Sequence, residues 1–439
     1  MKKIFFLIIA VLVSTFAFSQ NVISLFNKSN QFFTLLDQNK FTEAYGFIDE
    51  SVKPKISEDN LKNLWANINT NLGKINSLEA VRSKIEGEYY AVTIEGKFEK
   101  DDQNFVLVFN KAEKVVGILM PPKQNTTAYK VPSYADTTLY KETSTYLVTP
   151  GHQLATIITT PKNIKNFPIV VLVHGSGPGD MDETVGPNKP FKDLALGLAA
   201  KGIATIRYVK RTLVYAHEFG KVFTVKEEVL DDATAAVAMA KTVQGINPQA
   251  IYLLGHSLGG MMAPKLATLN PNLAGIILAA APARKFTDLI IDQNKYSFEQ
   301  AKDTTEGGKK QLADALVEIE KSRITTAGNM KADSLILGLP VSYWVDLNNY
   351  DQVAVAKKLS KPRILVLQGG NDFQVSEVDY KIWNTGLAKK QNVSFKFYPD
   401  LNHLLSPQTE KGNASQYQKQ TNVSETLVNH VANWIKDKR

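Results

Sequence analysis

The sequence predicts an α/β fold: a mostly parallel sheet with helices on both faces, a helical cap inserted late, and a small α+β unit in front. Three observations carry that expectation. From about Leu139 onward, apolar runs four to six residues long alternate with helical segments. Before Pro122 the pattern differs, with helical spacing first and strand alternation after it. Between Ala281 and Asp351 the strand–helix alternation stops.

The front unit spans about residues 20–122. Phe26 to Leu36, Phe41 to Ile48 and Leu61 to Leu72 place Phe, Leu, Ile and Trp65 at helical intervals. "YYAVTIEGKFEK" and "NFVLVFNKAEKVVGILM" then read as strands, the latter folded back at Asn110 to Glu113. Helices followed by a curved antiparallel sheet suggest a cystatin-like layer. Pro, Thr and Ser over residues 123–138 mark a linker. In the large unit, 139–439, "YKETSTYLV" and "LATIITT" flank Pro150-Gly151 as a hairpin. The runs Ile169 to Val173, Ile203 to Tyr208, Ile251 to Leu254, Gly275 to Ala279, Ile364 to Leu367 and Val393 to Tyr398 follow. Continuous apolar runs separated by helices are what a parallel sheet buried on both faces requires. The stretch 281–351, with its charged helical segment Gly308 to Ile324, is the cap.

Composition narrows the chemistry. The 439 residues include no cysteine, which excludes disulfides, cysteine-ligated zinc and a thiol nucleophile together. The formal charge is +8, but the lysines are scattered, without basic runs or interleaved aromatics, so a solvated surface is expected and no nucleic-acid groove. Residues 1–19 read as a signal peptide: Lys2 and Lys3, an apolar stretch Ile4 to Val13, and Ala17-Phe18-Ser19 before the cleavage site. No cysteine follows that site to carry a lipid, and no segment is long and apolar enough to span a membrane. A periplasmic or extracellular location is therefore expected. Oligomeric state is not legible.

The segment "YLLGHSLGG" ends a strand and opens a helix at Met261 to Leu269, the setting of a sharp turn that projects Ser257. A hydroxyl needs a base. Of six histidines, His403 lies in "YPDLNHLL", a polar loop directly after the last strand. His152 lies in the hairpin turn, His217 after a core strand, and His430 on the terminal helix, while His256 is expected to point away from the reacting centre. Asp372, in "QGGNDFQV", follows its own strand and is placed to accept from the His403 ring; Asp400 stands too close in sequence to do so. The backbone amides of Leu258 and of Ser176 or Gly177, in "VLVHGSGPGD", are expected to form an oxyanion hole, with His174 supporting that loop. No metal or organic cofactor is called for.

With these residues in place, the chain from about Leu139 resembles the carboxylesterase and serine-aminopeptidase branch of the α/β-hydrolases. The elbow, the His-Gly-Ser-Gly-Pro-Gly-Asp loop, "PFKDLALGLAAKGIATIRYVKR" and the late Asp372 and His403 carry the likeness. Relatives tend to have Asp where Val209 stands, which weakens any role carried over for that loop and leaves the triad intact. The front unit resembles a small domain of unknown function found ahead of this fold in exported bacterial hydrolases. The resemblance implies a serine carboxylesterase acting on a small acyl ester, with Ser257 as nucleophile, His403 as base and Asp372 as its orienting acid. Two alternatives stand beside it. An exopeptidase would need an acidic anchor, for which Glu218, Glu227 and Glu228 are candidates. A binding protein would recognise a peptide or glycan through the front unit and use the hydrolase only as a scaffold. Tyr343 and Trp344 are candidates for a pocket wall or for packing within the cap.

Overall fold

The computed structural model describes residues 24–54, 56–86, 89–121, 128–220, 222–302 and 304–437. The proposed signal peptide, 1–19, lies outside the described residues, as does part of the linker. The chain divides into two compact units, one through Gln124 and one from Asn125.

In the first unit, helix α1 (24–37) is followed by α2 (Phe41–Tyr45) and α3 (Glu58–Leu72). Ser57 begins α3 with a capping box: its hydroxyl accepts from the Asn60 amide, and Asn60 Oδ1 accepts from the Ser57 amide. Four antiparallel strands follow in sequential order: β1 (Ile75–Glu86), β2 (Tyr89–Phe98), β3 (Asp102–Phe109) and β4 (Val115–Leu119). The helices press Phe32, Phe33 and Trp65 onto the inward face of the sheet, where Phe33 meets Phe105 at 4.9 Å between ring centroids.

Two details depart from the sequence expectation. Strand β1 was not foreseen, because Glu79, Arg82 and Lys84 break its apolar alternation; it is an edge strand, where charge discourages unwanted pairing. Helix α2 stops at Tyr45 rather than Ile48, since Ile48 leaves the helix to bridge Val115 in parallel.

The second unit is built on eight strands. The hairpin β5 (Tyr140–Thr149) and β6 (His152–Pro161) turns at Pro150-Gly151. Then come β7 (Phe167–Val173), helix α4 (Pro190–Ala200), β8 (Ala204–Tyr208), and the short α5 (Arg211–Val214). One wide π turn, Lys226–Leu230, leads into α6 (Asp231–Ala240). Strand β9 (Ile246–His256) and helix α7 (Leu258–Leu269) flank Ser257, and β10 (Gly275–Ala279) follows.

The cap holds α8 (Phe286–Ala301), α9 (Glu306–Glu320), the tiny hairpin β11 (Leu335–Ile336) and β12 (Leu339–Pro340), and α10 (Val341–Asn349). Helix α11 (Gln352–Lys358), β13 (Arg363–Gly369), α12 (Glu377–Leu387), β14 (Val393–Tyr398) and α13 (Glu425–Lys436) complete the unit.

The sheet order is β14-β13-β10-β9-β7-β8-β6-β5, parallel from β14 to β8 and antiparallel through the β6–β5 hairpin. Along β7, Ile169, Val171 and Val173 join one hydrophobic cluster with α6, α7 and α12, while Val170 and Leu172 join another with α4 and α13. Both faces are thus covered, which explains why the strand sequence is apolar without alternation. The C-terminal ends of β7, β9, β13 and β14 carry the loops that hold the candidate residues. Among the described residues, no helix is long and apolar enough to cross a membrane.

Candidate active site

Ser257 occupies the single residue between β9 and α7 at φ 52°, ψ −119°, a conformation that costs a non-glycine residue about 1–3 kcal/mol and persists only where neighbours enforce it. The enforcement is visible. The Ser257 amide donates to the Ala279 carbonyl at 2.9 Å, and the Met261 amide donates to the Ser257 carbonyl at 2.9 Å. Helix and strand also approach too closely for side chains: a Cβ on Gly255 would lie 2.1 Å from the Gly259 carbonyl oxygen, and one on Gly259 would lie 2.3 Å from the Val173 oxygen. Those obstacles are backbone and cannot swing aside. Gly259→Ala is therefore expected to destabilise the protein by about 1–3 kcal/mol or more, measured by denaturant unfolding. A midpoint equal to wild type would show that α7 can shift freely, contrary to this account.

The histidine loop is braced from within. Asn402 Oδ1 accepts from the Leu404 and Ser406 amides at 3.0 and 3.2 Å, and Leu405 turns the chain at φ 61°. His403 Nδ1 lies 2.8 Å from Asp372 Oδ2. Asp372 is almost wholly buried, and its other oxygen accepts from the Gln374 and Val375 amides, each at 2.8 Å. A carboxylate held by donors accepts only, so the ring proton sits on Nδ1 and leaves the Nε2 lone pair as acceptor. Asp400 is exposed and takes no part. Among the described residues, no hydrogen bond joins Ser257 Oγ to His403. The serine's chain neighbour His256 does reach His403: the two imidazole centroids lie 4.6 Å apart, and His256 Nε2 donates to the His403 carbonyl at 2.8 Å. His256 thus packs behind His403, against its ring and its carbonyl.

The loop after β7 is held by two buried carboxylates. Glu183 Oε1 accepts from the Gly175 amide at 2.7 Å, and Glu228 Oε1 accepts from the Gly177 amide at 2.8 Å. The Gly177 N–H is therefore committed within the protein. Ser176, between the two anchored glycines, keeps an amide that donates to no acceptor among the described residues, as does Leu258 at the start of α7. Lys210 Nζ donates to the Gly175 carbonyl and to Glu228 Oε1, both at 2.8 Å. Tyr343 of the cap donates its hydroxyl to Glu228 Oε2 at 2.7 Å. His174 supports the loop as expected, with Nε2 at 2.9 Å from the Asp180 carbonyl.

The electrostatics follow from burial against pairing. Burial alone would raise the Glu228 carboxyl, but Lys210, Tyr343 and the Gly177 amide outweigh it and hold the group below its ordinary range. Glu183 is likewise opposed by burial, yet the His256 charge carries it down to about 2. His256 itself is pulled down by burial and raised more strongly by Glu183, ending above an ordinary histidine. Glu183 Oε2 and His256 Nδ1 meet at 3.0 Å without the alignment of a linear hydrogen bond, so the contact is an ion pair first. For His174 burial dominates, and its pKa falls to about 4, so the ring stays neutral.

Several other expectations resolve here. Trp344 is fully buried and donates to the Ile336 carbonyl, so it packs the cap; Tyr343 is buried too, and its polar end serves Glu228. Of the candidate amine anchors, Glu218 pairs with His152 at 2.7 Å, Glu227 accepts from the Thr224 amide and hydroxyl, and Glu228 is sequestered. His430 pairs with Tyr398 on the terminal helix. Nothing is described of the His217 side chain. Among the described residues, no cluster of His, Asp and Glu is arranged to hold a metal ion.

A strained serine at a strand–helix turn, with a paired Asp and His on loops after later strands of a doubly covered sheet, fits the class of α/β-hydrolases. The chain belongs within it to the family described as serine aminopeptidase, S33, whose model matches residues 168–410. Residues 29–118 match a family described as a protein of unknown function (DUF3887). Among curated proteins, the chain is 34% identical over 402 residues to "Esterase EstD" of Thermotoga maritima, covering 91% of this chain and 92% of that protein. Among solved structures, Est1E from Butyrivibrio proteoclasticus is 15% identical with a TM-score of 0.42, covering 67% of this chain and 99% of its own. Brefeldin A esterase, a bacterial homologue of human hormone-sensitive lipase, is 14% identical with a TM-score of 0.41, covering 71% of this chain and 80% of its own.

Proposed function

We propose that the protein is a serine esterase that cleaves small carboxylic esters through an acyl-enzyme. The observation that carries this reading is the His403–Asp372 pair, which leaves Nε2 as a lone-pair acceptor beside the strained turn at Ser257. In the proposed cycle Ser257 Oγ attacks the acyl carbonyl while His403 Nε2 takes its proton. The alkoxide that forms is held by the Ser176 and Leu258 amides; the committed Gly177 amide is left out of this role. His403 then protonates the leaving alcohol, and water repeats the sequence in reverse to release the acid. The Ser257–His403 hydrogen bond would close with substrate in place, as catalytic contacts commonly do. The likeness to a protein named an esterase over most of both chains supports the ester class.

A second reading, an exopeptidase, is suggested by the family description. It is weakened by the three glutamates, each already occupied by partners within the protein. Comparison of p-nitrophenyl acetate and butyrate with aminoacyl p-nitroanilides decides between them. Ester turnover at least 100-fold faster in kcat/KM is expected, and faster anilide cleavage would overturn the esterase assignment. The same reading includes export through the leader at residues 1–19.

A further inference from the structure

Resting on the esterase reading, we propose that Glu183 is a positioning residue of the reaction, a single carboxylate that ties the oxyanion loop to the loop of the catalytic base. Its two oxygens serve different partners. Oε1 accepts the Gly175 amide at 2.7 Å, one residue before the free Ser176 amide. Oε2 faces His256 Nδ1 at 3.0 Å, and His256 Nε2 lies 2.8 Å from the His403 carbonyl. Carboxylate, imidazole and carbonyl thus form a chain from the loop after β7 to the loop of His403. The space around it is closed: a Cβ on Gly175 would lie 3.3 Å from Glu183 Oε1 and 3.2 Å from Ser257 Cβ.

The geometry also sets the protonation of His256. Both of its ring nitrogens face oxygens that only accept, a carboxylate and a backbone carbonyl, so the ring is best satisfied carrying both protons. It is then an imidazolium tilted against the base, with ring centroids 4.6 Å apart. A positive charge there repels a second positive charge on the neighbouring ring. The groups that face this pair are His403 and Asp372 beyond the ring of His256, and His174 beside Glu183; Lys210 reaches the same loop at the Gly175 carbonyl. Glu183 touches neither substrate nor reacting atoms in this account. It acts by fixing two loops and by holding one charge.

The test separates those two effects. Glu183→Ala removes both, and kcat for p-nitrophenyl ester hydrolysis is expected to fall about 10–100-fold with KM within about twofold, the scale of a small misplacement of reacting groups. Glu183→Gln keeps an acceptor for the Gly175 amide but no charge for His256. It should recover kcat to within about fivefold of wild type, while the acid limb of kcat/KM moves up by about half to one pH unit. The proposal is overturned if both variants keep the wild-type kcat and acid limb. It is equally overturned if both lose kcat alike with the limb in place, because that pattern reports a general loss of structure. Should Glu183→Ala not fold, the limb of Glu183→Gln decides alone, with His256→Gln, an uncharged donor to the same carbonyl, expected to shift it likewise. Ser257→Ala runs in parallel. Retained turnover in that variant would sink the esterase reading itself, whereas a dead Ser257→Ala beside an unaltered Glu183→Gln would sink only the role of Glu183.

Discussion

Ser257→Ala is expected to lower kcat for p-nitrophenyl esters by about 10⁴–10⁶-fold and to abolish labelling by a fluorophosphonate, the scale of loss when a nucleophile is removed from a catalytic triad. What remains would come from the Ser176 and Leu258 amides and from binding, neither of which the substitution touches. Folding should not suffer. Alanine meets the same φ of 52° as serine and deletes only one oxygen, and the pegs to Ala279 and Met261 are backbone bonds that survive. The variant should therefore unfold at the wild-type denaturant midpoint. A labelled variant, or one with more than about a hundredth of wild-type turnover, would place the chemistry on another residue.

Lys210→Met should be strongly destabilising although it lies outside the hydrophobic core. Lys210 and Glu228 are each about 96% buried and meet at 2.8 Å, and removing one partner of a buried pair costs about 3–5 kcal/mol because the other charge is stranded. Glu228 would keep the Tyr343 hydroxyl and the Gly177 amide, two donors without a counter-charge. The pH dependence gives the argument its sign. In the intact protein the Glu228 carboxyl is depressed, so its contribution is present above the ordinary carboxylate range and fades as pH falls through its lowered folded value. Without the ammonium the carboxyl rises and accepts a proton readily, so the deficit of Lys210→Met should be largest near pH 7 and shrink toward pH 5. Adding Glu228→Gln should recover more than half of it at pH 7, since an amide oxygen still accepts from Gly177. A loss under about 1 kcal/mol at pH 7 would mean that water reaches the pair in solution.

How far these features could be read without coordinates depended on whether the signal was local. Strand β7 announces two-sided burial through its own composition, and the elbow through glycines that stand within two residues of the serine. Asp372 and His403 were legible because each sits just past an apolar strand, and the sheet topology brings those strand ends together. Strand β1 was missed for the opposite reason. An edge strand with one inward face and charged positions between has no periodicity strong enough to separate it from a loop. Glu183, Lys210 and Glu228 left no local trace either. They lie on three separate segments, and only the folded crossing of β7, β8 and the π turn brings all three to the loop after β7. The choice between Ser176 and Gly177 depended on the same pairing, since adjacent amides point in different directions and Glu228 claims one of them.

The reach of Tyr343 from helix α10 to Glu228 has a consequence for how this scaffold could be altered. The cap is thereby hung from the same carboxylate that steadies the loop after β7. Enlarging or recasting that segment without keeping a hydroxyl at this point would disturb turnover together with selectivity. Under the proposed esterase reading, breadth of diet and speed of catalysis are therefore coupled traits, adjustable only in concert.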